Sequence, residues 1–370
     1  MKVGIPSEVK NHEYRVGATP SMVAVLVADG HSVVVQAGAG ERIGFPDTAY
    51  VKAGATIAKS AADVYTSEMI IKVKEPQPEE YDLLKEGQIL FTFLHLAPDR
   101  QQTAALLKQG VIGVAYETVT DAHGRLPLLT PMSEAAGRLS VQAAASSLQM
   151  AGGGCGLLLG GLPGTPPARL VVIGGGVVGT NAARMAMGLG ASVVLFDTSL
   201  DRLRELDTLF GPQLETRYAT PDAVAEEVIA ADAVIGAVLV PGKSAPKLVS
   251  REVVKEMHGG AVIVDVAIDQ GGCIETSRPT THDEPTFITD GVVHYCVTNM
   301  PAACARTSTM ALTHATLPYA RALASYGTEA LAKDPHLLHG LNVYRGVLTH
   351  EHVAKDQGLD YTPPEKALGN

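Results

Sequence analysis

The stretch Leu170–Gly179, LVVIGGGVVG, sets the tightest limit on what this chain can fold into. Leu170 to Ile173 is an apolar run of the kind that forms a buried strand, and Gly174, Gly176 and Gly179 fill the G-x-G-x-x-G spacing ahead of a helix. Each glycine answers a separate need. Gly174 allows a tight turn, Gly176 lets backbone approach a pyrophosphate, and Gly179 lets helix and strand pack closely. An anion held there meets the free N–H groups and the positive end of the helix dipole. A second apolar run, VVLFD, ends at Asp197, eighteen residues past Gly179, where a carboxylate can accept hydrogen bonds from an adenosine ribose diol. A simple strand-to-helix turn would account for the glycines and leave Asp197 unexplained, so the stretch reads as a dinucleotide site. A carboxylate at that point repels a 2′-phosphate, and NAD is therefore expected over NADP.

With 370 residues the chain can bury two separate cores. Its net charge of −10, with no clustered run of Lys and Arg, argues against a nucleic-acid partner. The four cysteines (Cys155, Cys273, Cys296, Cys304) form no C-x-x-C pair, which predicts free buried thiols in a reducing cytoplasm. The opening MKVGIPSEVK lacks the apolar core of a signal peptide. The most apolar region, Gly152 to Val178, is interrupted by Pro163, Pro166, Pro167 and Arg169, so no membrane span is expected and the location is predicted to be cytoplasmic.

Short apolar runs alternate with helix-like segments from the start: KVGIP, Met22–Ala28, HSVVVQ, a helix near 47–53, MIIKVK, a helix after Pro78, QILFTF, a helix over 99–108, and VIGVAYE. That alternation predicts βα units and a parallel sheet. One long Ala- and Ser-rich helix is expected over Met132–Met150. A second alternating region then starts at Leu170, with strands at SVVLFD, TRYA, ADAVIGAV, GAVIVDVA and VVHYCV. From Thr307 onward no strand is evident, and Thr307–Tyr326 reads as helix. The expected architecture is α/β: two doubly wound Rossmann-like domains joined by long helices, the second inserted into the first. The boundaries are 1–128 plus 307–370 for a substrate domain and 129–306 for an NAD-binding domain.

In open α/β sheets the ligand crevice lies beyond the carboxyl ends of the strands, which directs attention to polar residues that follow apolar runs. Lys74 ends MIIKVK and His95 follows ILFTF. Taken singly, the lysine reads as a solvated strand end and the histidine as a satisfied core residue. Placed after consecutive strands, they read better as an ammonium and a proton-exchanging imidazole on one wall. VIVDVAIDQGG sets Asp265 inside an apolar run and Asp269 beyond it, beside Gly271 and Gly272, either as a turn cap or as a carboxylate near a ligand. Arg15 follows the first strand and could pair bidentately with a carboxylate, although alone it reads as a surface arginine. Asn299 and Met300 follow the last strand of the second region. His336 with His339, and His350 with His352, have spacings a metal could use but no carboxylate or cysteine framework, so they read as solvated helix faces and no metal site is expected.

These motifs together resemble the bacterial L-alanine dehydrogenase family over nearly the whole chain. The resemblance rests on VGIPSEVKNHEYRV, KVKEP, QILFTFLHLA, LPLLTPMSEAAGRL, the glycine turn, IGAVLVPGKSAPKLVS, VDVAIDQGGCIETSRPTTHDEPTF and VTNMPA. It implies reversible, NAD-linked oxidative deamination of L-alanine to pyruvate and ammonium. It further implies that Arg15 and Lys74 hold the substrate carboxylate and the nascent carbonyl or imine, that His95 is the general acid and base, and that Asp269 orients the amine and the attacking water. On the cofactor side it implies Ser133 near the pyrophosphate, Val177 and Val178 at the turn, Asp197 on the ribose and Arg202 by the adenine. Along the nicotinamide half it implies Val238, Leu239, Val266, Ala267, Ile268, Asp269, Arg278, Val297, Thr298, Asn299 and Met300. Members of the family are commonly homohexamers. The chain departs from the family at Ala219, where a small hydroxyl residue is frequent, and at Tyr326, where some members carry a magnesium-binding histidine. Two other functions fit parts of the pattern: the soluble NAD-binding subunit of a proton-translocating transhydrogenase, which shares the IP-x-E start and the PGK-x-AP segment, and a non-catalytic NAD sensor.

Overall fold

A computed structural model describes residues 1–238 and 245–369. The chain divides into two compact units, Met1–Met132 together with Cys304–Asn370, and Ser133–Ala303. It leaves the first unit within the helix Thr130–Ser147 and returns to it just ahead of the helix Ala305–Tyr326.

In chain order the strands are β1 (Lys2–Ile5), β2 (Ser32–Gln36), β3 (Thr56–Ala58), β4 (Met69–Ile71), β5 (Ile89–Thr92) and β6 (Ile112–Ala115), then β7 (Arg169–Ile173), β8 (Ser192–Asp197), β9 (Leu214–Tyr218), β10 (Ala233–Gly236), β11 (Val262–Asp265), β12 (Thr286–Thr289) and β13 (Val292–Tyr295), and finally β14 (Leu341–Tyr344) and β15 (Val347–Leu348). The first unit is an eight-stranded sheet in the order β15-β14-β6-β5-β4-β1-β2-β3, parallel throughout β1 to β6. Strands β4, β5 and β6 are buried along their whole length, as a parallel sheet covered on both faces requires. Each of their Ile and Leu side chains contributes about 1.5–3 kcal/mol by leaving water. The covering helices start where their sequences favour it. Thr19 caps Pro20–Ala28 by accepting the Met22 N–H at 3.3 Å, with Pro20 at the first helical position. The helix Ala305–Tyr326 sends Leu312, Ala320 and Leu323 into the same core.

The second unit is a seven-stranded sheet in the order β12-β13-β11-β10-β7-β8-β9, parallel except for β12. Both sheets are doubly wound α/β layers, as expected. In each, the chain runs to one side of its first strand and then crosses to the other, so the order reverses between β1 and β4 in one unit and between β7 and β10 in the other. Ligands bind at such reversals, outside the carboxyl ends of the strands.

Three expectations need correction. The segment after Thr307 does contain strands: β14 pairs antiparallel with β6 through an irregular register between Leu341 and Val343, and β15 pairs with β14. The edge strands β3 and β12, only partly buried, also lacked a clear apolar pattern. The long helix spans Thr130–Ser147, and Met150–Gly152 is a separate 3-10 turn. Of the cysteines, all free, Cys155 is exposed, Cys304 is half-buried, and only Cys273 and Cys296 are buried. Among the described residues no helix is long and apolar enough to cross a membrane.

Candidate active site

In the first unit, pairing between β4 and β5 continues past the ends of both strands. The Lys72 N–H donates to the Phe91 carbonyl and the Phe93 N–H to the Val73 carbonyl, each at 3.2 Å, and the Thr92 hydroxyl donates to the Lys74 carbonyl at 2.9 Å. Lys74 and His95 therefore ride on one two-stranded extension at the carboxyl end of the sheet. His95 adopts a left-handed backbone conformation (φ 48°), uncommon for a residue with a side chain. Glu117 over-determines it by accepting the N–H groups of Leu94 and His95, the latter at 2.6 Å. The ring stacks on Phe93 with centroids 5.5 Å apart, and its side chain stays 45% exposed.

Next to it lies Glu75, whose Oε2 is 3.7 Å from His95 Nδ1 and whose Oε1 takes a salt bridge from Lys10. Burial opposes ionisation of Glu75. The His95 imidazole and the charges of Lys74 and Lys10 outweigh it and hold the carboxyl well below the usual carboxylate range.

Arg15 is not the surface residue that its sequence context alone suggested: it is 2% exposed. Glu13 grips it as a fork, accepting from Nε at 2.7 Å and Nη2 at 2.5 Å, while Nη1 lies 2.9 Å from Met132 Sδ. Beneath these groups is a buried charge cluster that sequence reading missed. Lys72 Nζ lies 2.7 Å from Glu80 Oε1 and 3.3 Å from Glu8 Oε2, and Glu8 Oε1 accepts the Val73 N–H at 2.7 Å. One ammonium here faces two carboxylates. Burial, with Glu13 and Glu80 close by, pushes the Glu8 carboxyl up to about 7 against the pull of Lys72. Because the folded state then binds this proton more tightly than an unfolded chain with a value of 4.5, the stability it confers is complete below that value and is lost as pH rises through about 7. Glu8→Gln keeps the acceptor for Val73 and removes the charge. Urea unfolding is expected to show the variant level with wild type at pH 4.5 and ahead by up to about 3 kcal/mol at pH 8; a gap that does not change with pH refutes the assignment.

In the second unit the glycine turn joins β7 to the helix Val177–Gly188. Gly174 has φ 104°, and a Cβ on Gly179 would sit 1.8 Å from the Gly174 carbonyl oxygen, so helix and strand touch through backbone. A Cβ on Gly176 would meet nothing within 4 Å, and Gly176 caps the helix without any side-chain hydrogen bond. Open space in front of uncapped N–H groups fits a dinucleotide pyrophosphate. Asp197 is fixed beside it, Oδ2 accepting the Gly175 N–H at 2.7 Å and Oδ1 the Ser199 N–H at 2.8 Å. Gly175 is a further residue the sequence reading passed over, since a Cβ there would press on that carboxylate at 3.0 Å. Arg202 reaches back to the turn, donating from Nε to the Gly175 carbonyl at 2.7 Å and from Nη2 to Thr180 Oγ1 at 2.8 Å.

Val177 is exposed and Val178 half-buried at the start of the helix, Ser133 is half-buried in Thr130–Ser147, and Val238 follows β10 against the Gly174 turn. Leu239 lies outside the described residues. Beyond β11, Asp265 is the turn cap: it accepts the N–H groups of Ala267, Cys273 and Ile274 at 3.0–3.1 Å. That leaves Asp269 exposed on the short 3-10 helix Val266–Gln270. Val266 is half-buried, whereas Ala267, Ile268, Val297 and Met300 are buried. Thr298 pairs with the Thr280 carbonyl, Arg278 stacks over Phe287 at 4.2 Å, and Asn299 adopts φ 60°. The paired histidines are not simple solvated faces. His336 and His339 both contact the Thr120 hydroxyl, and His350 caps the helix Glu351–Gln357. Among the described residues no group of three metal-ligating side chains gathers.

A doubly wound sheet with this turn, coupled in one chain to a second doubly wound sheet, defines the class of two-unit α/β proteins built around a dinucleotide site. Residues 4–136 match the family described as alanine dehydrogenase/PNT, N-terminal domain, and residues 140–351 match its C-terminal domain. The chain belongs to this alanine dehydrogenase/PNT family. It is 55% identical to the alanine dehydrogenase of Halomonas elongata over all of both chains, and 52% identical to that of Bacillus subtilis over its whole length and 98% of the relative. Among solved structures an L-alanine dehydrogenase superposes with a TM-score of 0.95 at 51% identity, covering 97% of this chain and 99% of that one. A transhydrogenase from Sinorhizobium meliloti superposes with a TM-score of 0.81 at 26% identity, covering 95% and 99%.

Proposed function

We infer that this protein is an NAD-dependent L-alanine dehydrogenase, interconverting L-alanine and water with pyruvate and ammonium. The observation that carries this reading is the end-to-end likeness to proteins of that name, at twice the identity of the transhydrogenase match.

Gly174 to Gly179 would hold the pyrophosphate of NAD and Asp197 its adenosine ribose, and the nucleotide when bound would supply the acceptor for the hydride of the alanine Cα. Ser133 and Arg202 would add contacts on the adenosine and pyrophosphate side, with Val238, the Val266–Asp269 turn, Arg278 and Val297–Met300 along the nicotinamide half. The chain's own residues do the rest. Arg15, stiffened by the Glu13 fork, binds the substrate carboxylate. Lys74 sets an ammonium against the developing carbonyl or imine, a fixed charge of the kind worth about 2.7–4 kcal/mol of barrier. His95 takes a proton from the water that adds to the iminium carbon and returns one to the nitrogen that departs as ammonia. Asp269, left free by the Asp265 cap to face outward, orients the amine. As the resemblance implies, the assembly is a homohexamer.

Mixing the protein with NAD and a panel of L-amino acids while following reduced nicotinamide tests the reading. Reduction with alanine, and little with the others, is expected. Silence across the panel would instead favour hydride exchange between nucleotides, as the transhydrogenase likeness would have it.

A further inference from the structure

Three holds converge on His95: Glu117 fixes its main chain, Phe93 stacks on its ring, and Glu75 faces Nδ1. Among the described residues Nε2 has no partner. Glu75 Oε2 is likewise buried without a hydrogen bond, and the side chain that carries it is only 12% exposed. At 3.7 Å the two groups are an ion-pair distance apart, slightly beyond hydrogen-bond reach, and the carboxylate has no competing donor on that oxygen. Which ring nitrogen of a histidine carries the proton is set by the partner of the other.

We propose that Glu75 is a positioning residue for the deamination, its carboxylate selecting the Nδ1-protonated tautomer of His95 so that Nε2 is the nitrogen that exchanges protons with substrate and water. This rests on His95 being the acid and base of the reaction. The charge balance around the ring supports it. Facing the imidazole is the carboxylate of Glu75, flanked by the ammonium groups of Lys10 and Lys74. Glu117 is engaged with main-chain N–H groups and touches neither ring nitrogen. Because Glu75 is held ionised far below neutrality, the bias persists over the whole working pH range. The proton leaves and returns at Nε2, Nδ1 keeps its own proton throughout, and Glu75 gains none.

The test uses the full-length protein labelled with 15N-histidine, the His95 signal being assigned by its absence in His95→Asn. In the resting wild type, Nδ1 is expected to be protonated and Nε2 bare once the ring is neutral. In Glu75→Gln the preference should collapse. A fall of about tenfold or more in kcat is expected, with the Kd for NADH within about twofold, and Glu75→Asp should recover part of the loss. A wild-type ring protonated on Nε2 overturns the proposal, as does a Glu75→Gln variant with unchanged tautomer. The wild-type spectrum stands by itself if the variant fails to fold. It also needs no substrate, so failure of the alanine reading, seen as silence in the amino-acid panel, is distinguishable from failure of this one.

Discussion

His95→Ala is expected to lower kcat for alanine oxidation by about 10²–10⁴, the usual worth of a positioned acid–base group, while the Kd for NADH changes less than about twofold. The selectivity follows from location. His95 sits on the strand extension of the first unit, and its ring touches Phe93 and faces Glu75, neither of which belongs to the glycine turn. Alanine is found at left-handed positions less readily than histidine or asparagine, so His95→Asn serves as the backbone control. Stopped-flow reduction of NAD and fluorescence titration of NADH measure the two quantities. Parallel loss of turnover and nucleotide binding in both variants would remove His95 from the chemistry.

A pair of glycine substitutions should separate folding from nucleotide binding. In Gly179→Ala the new methyl would lie 1.8 Å from a main-chain oxygen, with no flexible side chain to yield, so helix and strand must move apart. Overpacking of this kind costs about 1–3 kcal/mol, and both thermal stability and NADH affinity should fall. Gly176→Ala meets no neighbour within 4 Å and has an ordinary φ of −67°, so the fold should not register it. The methyl nevertheless enters the open space ahead of the helix, and NADH affinity should drop about tenfold or more at unchanged Tm. If Gly176→Ala binds NADH normally, the pyrophosphate does not pass over this turn.

What was legible in the sequence was whatever a local pattern encodes. The apolar runs of β1, β4 to β8, β10 and β11 announce buried parallel strands, and the spacing from Gly174 to Asp197 announces the nucleotide turn. Strands β14 and β15 had no such signal, because LNVY becomes a strand only by completing the edge of β6, a partner more than two hundred residues away. The carboxylates were missed for a related reason. Glu8, Glu13, Glu75, Glu80 and Glu117 look like ordinary polar residues in one dimension, and only the fold buries them against Lys72, Arg15, His95 and free main-chain N–H groups. A clue did exist at KVKEP, where an acid directly follows the two lysines of a strand end. Asp265 is the turn cap for a similar reason: an acid inside an apolar run is available to cap the next turn, which leaves Asp269 beyond it exposed.

The split construction of the first unit bears on how the polypeptide matures. On a ribosome the nucleotide-binding sheet is finished once Ala303 has been made, whereas its companion still lacks the helix Ala305–Tyr326 and the hairpin that closes β6. Until the last segment arrives, β6 presents an unpaired rim to its surroundings, a template for pairing with another nascent chain. The late position of the β14–β15 hairpin thus leaves this rim open to misassembly until the hairpin has been made.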